Sequence, residues 1–462
     1  MESTTICAIA TGQGGAIGII RISGPNAITY TDKIFRPSRK GKSLADANPF
    51  TLTYGQIVDT EEKTIDDVLI SVFHAPHSYT GENAIEISCH NSPYILQQIM
   101  HQLIDVGCQL AAPGEYTQRA FLNGKMDLSQ AEAVADVIAS TTASAHRLAI
   151  NQLRNGFSKD FKLLRDKLLK ISSLMELELD FSDHEELEFA DRSELINLLH
   201  DIENKISKLA DSFHYGNAIK KGIPVAIIGE TNVGKSTLLN TLLGEEKAIV
   251  SDIQGTTRDI IEDTFNINGY LFRFIDTAGI RDTDNTIEKI GIERTYKKMT
   301  EASIILWIVD AAEILKSKSL PILKKLEEYN NILLVCNKYD LVEESEKNIL
   351  NSILAESKYA HICISAKDGS NIEQLKQMLL SLANIHPVDD NEYTVTNIRQ
   401  YNSLKSALQC AERTEDGLKN NLPTDLVSED LRECLQHLGE IIGTVTSADI
   451  LHNIFSHFCI GK

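Results

Sequence analysis

A glycine-rich motif, G-x-x-x-x-G-K-S at residues 229–236, constrains this chain more than any other part of its sequence. An apolar run at 224–228 precedes it, and a helical pattern follows at 237–243. A loop in this position wraps phosphates in backbone N–H groups, and the N-terminus of the following helix adds its positive dipole. Lys235 would lie between the β- and γ-phosphates, and the Ser236 hydroxyl would bind Mg²⁺. Because a glycine-rich turn can match the motif by chance, the interpretation depends on its companions.

Three companion motifs follow in the order that a guanine-nucleotide site requires. The D-T-A-G motif at 276–279 comes after an apolar run and places a carboxylate near Mg²⁺. In the N-K-Y-D motif, Asp340 can accept two hydrogen bonds from the edge of guanine, a donor pair that adenine lacks. The S-A-K motif at 365–367 would close the base pocket with backbone donors. Order and spacing resemble the translation-factor-like GTPases and predict a GTP-binding domain. The expected contacts are Asn232, Val233, Gly234, Lys235, Ser236, Thr237, Thr257, Asp276, Thr277, Ala278, Gly279, Asn337, Lys338, Asp340, Ser365 and Ala366.

Two departures from the Ras pattern bear on how GTP would be hydrolysed. Ile280 follows the D-T-A-G motif where Ras-like proteins carry a water-positioning glutamine, so hydrolysis needs another organiser. Asn232 offers a neutral amide oxygen beside the phosphates, which suits a monovalent cation that neutralises transition-state charge. A tolerated surface residue is the alternative reading of Asn232. Thr257 is a switch-like candidate for a second Mg²⁺ ligand.

Hydrophobic periodicity divides the 462 residues into zones, and the length suggests about three domains. Short β-rich runs fill 1–118, and helical spacing extends over 126–213, where Ser129 and Glu132 have capping-box spacing. Apolar runs then alternate with amphipathic segments, which is typical of a parallel sheet with crossover helices. Helical spacing returns after residue 397. We therefore predict a multidomain α+β and α/β protein. Its parts are a β-rich N-terminal domain at 1–118, a discontinuous helical domain at 119–215 and 384–462, and an inserted Ras-like P-loop GTPase domain at 216–383.

Charge and cysteine usage narrow the class of protein further. With 45 Lys+Arg against 65 Asp+Glu, the net charge of 45 − 65 = −20 argues against a basic coat for nucleic acid. Residues 31–45 nevertheless carry five basic side chains and one acid, so local patches could still contact phosphates. The eight cysteines are scattered without a C-x-x-C pair, which indicates reduced thiols in a cytoplasmic protein. Cys434 and His437 could begin a metal site, but a structural role is favoured because the sequence shows no second pair.

No membrane span or secretory signal is expected. The sequence has no run of 18 apolar residues, and its start lacks the basic region and the long apolar core of a signal peptide. These features again predict a cytoplasmic protein.

Four further motifs give the whole chain a family resemblance. They are S-Y-T-G-E at 78–82, P-G-E-Y at 113–116 running into R-A-F-L-N-G-K at 119–125, D-L-S-Q-A-E-A at 127–133, and C-I-G-K at 459–462. Together with the nucleotide motifs they span nearly the full length. In motifs and domain order the chain resembles the bacterial and organellar tRNA-modification GTPases known as MnmE or TrmE.

The resemblance implies a folate site and a dimer interface in the N-terminal domain. The ligand would be 5-formyl- or 5,10-methylene-tetrahydrofolate, in a pocket lined by Arg21, Glu86 and Lys125, which Lys462 reaches. The chemistry fits, since a carboxylate such as Glu86 can pair with the donor edge of a pterin and cations can hold an anionic tail. Without the resemblance, each of the three side chains is more simply explained as a surface charge.

The resemblance also assigns the two parts of GTP hydrolysis that the motifs leave open. Glu288 matches the glutamate thought to orient the attacking water, although a solvated carboxylate at a helix start is the alternative. K⁺ would be coordinated by Asn232, Ser251, Ile253 and Thr256, the latter three partly through backbone oxygens, and Ser251 and Thr256 would also contact GTP. Cys459 would take part in the modification chemistry, with a buried structural cysteine as its alternative.

The activity implied is that of a K⁺-activated GTPase, acting as a homodimer with the flavoprotein MnmG (GidA). The pair would form the (carboxymethyl)aminomethyl group at C5 of the wobble uridine, U34, of certain tRNAs. A rival from another class is a GTPase switch that acts by binding alone, for instance in ribosome assembly. Such a switch needs neither folate nor a terminal cysteine. A folate enzyme with a vestigial GTPase is poorly compatible with the intact nucleotide motifs.

Overall fold

The computed structural model describes most of the chain and divides it into two compact units, each assembled from separate stretches of sequence. One unit comprises Met1–Ala135, Gln152–Leu199 and Gln409–Lys462, and the other comprises Asp136–Asn151 and His200–Leu408. The described residues are 4–12, 14–39, 43–155, 158–180, 192–245, 263–275, 299–319, 329, 331–384, 393–420, 422–456 and 458–461. Among them, no helix combines the length and the apolarity that crossing a membrane requires.

The helices account for the periodic segments of the sequence. In chain order they are α1 Ala27–Ile34, α2 Pro93–Asp105, α3 Glu115–Leu122, α4 Leu128–Ala139, α5 Ala143–Asn155, α6 Ser158–Asp180, α7 Arg192–Lys221, α8 Lys235–Glu245, α9 Ala311–Ser317, α10 Glu344–Ala355, α11 Ile372–Leu382, α12 Ile398–Lys419, α13 Thr424–Ile442 and α14 Ala448–Ser456. Short 3₁₀ turns lie at Leu44–Asp46 and Tyr339–Leu341. The helix α13 ends at Gly443, which adopts φ +86° as a left-handed C-terminal cap.

The start of α4 corrects one expectation. Ser129 is not the N-cap, because the helix already begins at Leu128. Asp127 takes that role, since its Oδ1 accepts a hydrogen bond from the Gln130 backbone N–H at 2.8 Å. The Ser129 hydroxyl donates to the same carboxylate at 2.6 Å. A carboxylate at this position also favours the positive end of the helix dipole.

A seven-stranded sheet forms the core of the first unit. Its strands are β1 Ile6–Ile9, β2 Ile17–Ser23, β3 Phe35–Pro37, β4 Thr51–Val58, β5 Thr64–Phe73, β6 Ala84–His90 and β7 Gln109–Leu110. The order is β3-β4-β5-β6-β2-β1-β7, antiparallel except for the β1–β7 pair. Residues alternate between faces, so Ile20 and Ile22 join the buried core while Arg21 between them points to the other face. Helices α1 and α2 supply core residues such as Ile28 and Ile99.

A six-stranded sheet forms the core of the second unit. Its strands are β8 Ile223–Ile228, β9 Thr264–Ile267, β10 Tyr270–Phe274, β11 Ile304–Asp310, β12 Ile332–Asn337 and β13 Ala360–Cys363. The order is β13-β12-β11-β8-β10-β9, and only the β9–β10 pair is antiparallel. In the sequence, Asn268-Gly269 between two apolar runs predicts a tight hairpin; these residues connect the β9–β10 pair with positive φ angles of 50° and 87°, which confirms it. Apolar clusters cover both faces, as expected for a parallel sheet.

Candidate functional site

The phosphate loop connects β8 to α8, and two of its glycines are required by their surroundings. Gly229 adopts φ +150°, and a Cβ there would lie 2.3 Å from the Ile308 carbonyl oxygen. Gly234 adopts φ +98°, and a Cβ there would lie 2.1 Å from Nδ2 of Asn337. Both distances are far below van der Waals contact, and the φ angles are strained for other residues. The two glycines of the motif therefore let the loop lie directly against the neighbouring strands β11 and β12.

The Lys235 side chain folds back onto the phosphate loop and hydrogen-bonds its backbone. Its Nζ donates to the carbonyl oxygens of Gly229 at 2.9 Å and Glu230 at 2.6 Å, so the ammonium group is held within the span of the loop. This positive charge and the N-terminus of α8 lie at the same place, which favours a bound anion. Ser236 and Thr237 follow Lys235 in the first turn of α8.

Asn232 occupies the left-handed region, with φ +62°. Asparagine tolerates this conformation better than most residues. The backbone therefore supplies its own reason for asparagine at this position, separate from any role of the amide oxygen in binding a cation. Val233, the next residue, is buried.

Asn337 joins two of the predicted motifs. Its side chain is buried, and its Nδ2 donates to the Val233 carbonyl oxygen at 2.8 Å. Its Oδ1 accepts from the Ala366 backbone N–H at 3.0 Å. One amide thereby ties the end of β12 to the phosphate loop and to the S-A-K segment, which also contains the buried Ser365. A buried amide with both ends satisfied fixes the relative positions of these backbones.

Residues of the N-K-Y-D motif, expected to contact the guanine base, lie at the end of β12. Lys338 adopts φ +61°, and its Nζ lies 2.7 Å from Oδ2 of Asp310. Asp340 is exposed in the 3₁₀ turn that follows, so its carboxylate is open to a ligand. Sequence reasoning missed Asp310, which ends β11 and accepts from the Ala312 backbone N–H at 2.9 Å. The signal was available, because carboxyl ends of adjacent parallel strands meet at the ligand-binding edge of such sheets.

The remaining residues predicted for the nucleotide, the metals and water activation lie outside the described residues. They are Ser251, Ile253, Thr256, Thr257, Asp276, Thr277, Ala278, Gly279 and Glu288.

A second candidate site lies in the first unit, on the face of the sheet opposite α1 and α2. Arg21 on β2 and Glu86 on β6 are directly paired across the strands. The guanidinium donates from Nε at 2.9 Å and from Nη2 at 2.7 Å to Oε1 of Glu86, with both side chains about one quarter exposed. The Tyr116 hydroxyl donates to the Arg21 carbonyl oxygen at 2.8 Å and so holds the backbone that carries this guanidinium. Burial raises the pKa of Tyr116, so this phenol stays protonated and remains a donor.

The C-terminal segment reaches this ion pair. The Gly461 carbonyl oxygen accepts from Nη1 of Arg21 at 3.2 Å, and the Gly114 backbone N–H donates to the Cys459 carbonyl oxygen at 3.4 Å. Gly461 adopts φ +93°, and a Cβ there would lie 2.8 Å from the Ile9 carbonyl oxygen. The Cys459 side chain is exposed, so the alternative of a buried structural cysteine is wrong.

The structure brings together only some of the residues predicted for the folate. Arg21 and Glu86 are paired beside the C-terminal segment. Lys125 donates from Nζ to the Pro76 carbonyl oxygen at 3.0 Å, in the loop between β5 and β6. Lys462 lies outside the described residues.

Comparison with known proteins covers the whole chain. The family model described as "MnmE helical domain" matches residues 128–459, and that described as "GTP-binding protein TrmE N-terminus" matches residues 5–125. Three proteins named tRNA modification GTPase MnmE are similar over their full lengths. That of Bacteroides fragilis (strain YCH46) is 57% identical and that of Bacteroides thetaiotaomicron 56%, each with 100% of both chains covered. That of Porphyromonas gingivalis is 48% identical, covering 99% of this chain and 98% of the relative.

Among solved structures, the FeoB G-domain of Methanococcus jannaschii is 28% identical over 35% of this chain and 98% of its own, with a TM-score of 0.25. Because that overlap is confined to about a third of this chain, the full-length relatives carry the assignment.

Proposed function

The chain belongs to the MnmE family of tRNA modification GTPases, and from this premise we propose that it is a K⁺-activated GTP hydrolase that modifies the wobble uridine of certain tRNAs. With the flavoprotein MnmG it would form the (carboxymethyl)aminomethyl group at C5 of U34. It would act in the cytoplasm as a homodimer joined through its N-terminal domain. The proposed domains have the boundaries predicted from the sequence: 1–118, 119–215 with 384–462, and 216–383.

The two hydrogen bonds of the Asn337 amide, to Val233 and from Ala366, form the Asn337 bridge, which is the observation that best supports GTP binding. It holds the phosphate loop and the S-A-K segment to the end of β12, and Asp340 lies in the 3₁₀ turn that follows this strand. In the proposed complex, Lys235 exchanges its carbonyl partners for phosphate oxygens and Asp340 accepts from the guanine edge. Mg²⁺ would be held by the hydroxyls of Ser236 and Thr257 together with phosphate oxygens. This donor set fits a hard cation, which prefers oxygen ligands.

The monovalent cation gives the first prediction. GTP hydrolysis should be several times faster in KCl than in NaCl of equal ionic strength, because a K⁺ ion beside Asn232 would neutralise charge that develops in the transition state. The measurement is the steady-state rate of phosphate release in each salt. Equal rates would remove the proposed cation from the mechanism.

The variant for this test must respect the backbone at Asn232. Since φ is +62°, Asn232→Gly is compatible with the backbone conformation and removes the side chain with its amide oxygen. This variant should lose the preference for K⁺ while retaining GTP affinity. Asn232→Asp, which keeps an oxygen at the same place, should retain part of the preference. A glycine variant that still prefers K⁺ would assign the cation to other residues.

Water activation gives the second prediction. Glu288→Ala should lower the turnover of GTP on the order of a hundredfold while sparing GTP affinity, because orienting the attacking water contributes only in the transition state. Single-turnover hydrolysis and equilibrium binding of GTP separate the two quantities. The matched control is Glu293→Ala, which removes a carboxylate five positions further along the sequence. Normal turnover in Glu288→Ala would exclude Glu288 as the organiser.

The Arg21–Glu86 pair supports the proposed folate site. Both side chains are partly exposed on the face of the sheet opposite α1 and α2, so a donor-rich pterin edge could pair with Glu86. Lys125 and Lys462 would meet the anionic tail from their own segments. A bound tetrahydrofolate supplies a one-carbon unit; the residues of this chain bind and orient it. The exposed Cys459 lies two residues before Gly461, whose carbonyl contacts Arg21, which supports a shared site for the thiol and the folate.

The coupled activity is tested by the modification state of wobble uridine in tRNA from cells that lack this protein. Loss of the C5 group supports the proposal. An unchanged nucleoside would favour the rival reading, a GTPase switch that acts by binding alone.

A further inference from the structure

A cluster of metal-ligating side chains lies between α12 and α13 and shares no residue with either candidate site described above. Cys410 on α12 and Glu433 and His437 on α13 each place one ligand atom within 4.8 Å of the other two. Cys410 is buried, His437 is half-buried and Glu433 is exposed. The three side chains thus extend from the exposed carboxylate to the buried sulfur.

We propose that Cys410, Glu433 and His437 bind a divalent transition-metal ion, and that Zn²⁺ is the ion this donor set favours. Thiolate, imidazole and carboxylate together are typical zinc ligands, whereas Mg²⁺ and Ca²⁺ take oxygen ligands. Bonds of about 2.0–2.3 Å in a tetrahedron separate ligand atoms by about 3.3–3.7 Å. Nε2 of His437 lies 3.9 Å from Oε1 of Glu433, so two of the three ligands are already near that separation.

The imidazole of His437 is oriented for this role. Its Nδ1 lies 3.3 Å from Oε2 of Glu440, one helical turn further along α13. A carboxylate that accepts from one ring nitrogen directs the other nitrogen toward a metal, as in the carboxylate–histidine–zinc arrangement. Here the other nitrogen, Nε2, is the one that faces Glu433. The supporting partner of the proposed ligand is therefore in place.

The sequence indicated a different cysteine. Cys434 is the nearest cysteine to His437 along the chain, but the structure puts Cys410 with His437 and Glu433 instead. Helical geometry explains this, because positions three apart on one helix point in similar but not identical directions, and Cys434 is buried in the packing of α13. The ligand set depends on the pairing of α12 with α13, which no local motif shows.

In this cluster, the Arg413 guanidinium supplies the positive charge and contacts two of the proposed ligands. Its Nη2 lies 3.3 Å from the Cys410 sulfur and also contacts Glu433, while its Nε donates to Oδ1 of Asp430 at 2.8 Å. A metal ion would compete for the first two contacts and leave the third. Binding converts the Cys410 S–H to an S–Zn bond and releases the proton to solvent. The charges then balance, since Cys410 and Glu433 offset the ion and Asp430 offsets Arg413.

The test uses the full chain, reduced, metal-free and without nucleotide, titrated with Co²⁺ and then with Zn²⁺. Co²⁺ bound to a thiolate in a tetrahedral site gives a charge-transfer absorption that oxygen ligands do not give, so the Mg²⁺ site cannot mimic it. We expect this absorption in the wild type at one equivalent, and we expect Zn²⁺ to displace it. Cys410→Ser should abolish it. His437→Gln should weaken Zn²⁺ binding at least about tenfold.

A second pair of variants keeps the test decisive if Cys410→Ser fails to fold. Arg413→Gln should bind Zn²⁺ as tightly as the wild type or more tightly, because the competing cation is gone. Arg432→Gln is the matched control, since Arg432 is an exposed arginine on α13 that pairs with Glu176; it should leave affinity unchanged. A wild type without the absorption, retention of it in Cys410→Ser, or binding seen only in Arg413→Gln would each overturn the site.

Discussion

Gly234→Ala is expected to lower GTP affinity about a hundredfold while leaving the protein folded. The new Cβ would lie 2.1 Å from Nδ2 of Asn337, and the backbone at Gly234 has φ +98°. Relieving the overlap requires Asn337 to move, which breaks the hydrogen bond to Val233 and disturbs the one from Ala366. A buried amide that loses a partner costs about 1–3 kcal/mol, and the unfavourable φ adds about 1–2 kcal/mol.

Because GTP binds the loop in its native conformation, restoring that conformation takes a total of about 3 kcal/mol and lowers GTP affinity about a hundredfold. Isothermal titration calorimetry with GTP measures the affinity, and circular dichroism with thermal unfolding checks that the variant is folded. Gly244→Ala is the matched control, because Gly244 in α8 has open space around it and should accept alanine without loss. Affinity within threefold of the wild type in Gly234→Ala would show that the close approach to Asn337 is not needed for binding.

Cys459→Ser is expected to abolish tRNA modification while GTP hydrolysis continues at the wild-type rate. The side chain is exposed, and its segment ends beside the Arg21–Glu86 pair through Gly461. Replacing sulfur by oxygen keeps the size and removes a thiol that ionises far more readily than an alcohol. Packing is nearly unchanged by this substitution, so a chemical role predicts a large effect and a packing role predicts almost none.

The readout is the nucleoside content of tRNA from cells that carry only the variant, together with phosphate release by the purified protein. Ile460→Ala is the matched control, because Ile460 is 61% exposed and lies in the same segment without a thiol. It should support modification. Full modification with Cys459→Ser would remove the thiol from the chemistry and leave the segment a structural role.

The sequence predicted the nucleotide-binding fold well because its signals are local. The apolar runs before the phosphate loop and before the D-T-A-G motif correspond to β8 and β10, and the Asn-Gly pair corresponds to the β9–β10 turn. Gly443, which interrupts the helical spacing after residue 397, marks the end of α13. In each case one strand or one turn carries its own pattern, so no knowledge of distant neighbours was needed.

The contacts that organise the sites were harder to predict because they depend on neighbours in space. The Asn337 bridge requires β12 to lie beside both the phosphate loop and the S-A-K segment. The ion pair of Asp310 with Lys338 requires the order of the parallel strands. Even the local start of α4 differs from the capping-box pattern at Ser129. Ser129 and Asp127 are both favourable N-caps, and only the path of the backbone decides between them.

The central claim, a GTPase that modifies wobble uridine, is tested most directly by digesting total tRNA from cells lacking this protein and measuring the modified nucleosides. The account predicts that the (carboxymethyl)aminomethyl group at C5 of uridine disappears. It predicts that the wild-type protein restores the group and that Gly234→Ala and Cys459→Ser do not. Normal levels of the modified nucleoside in the deletion strain would contradict the account.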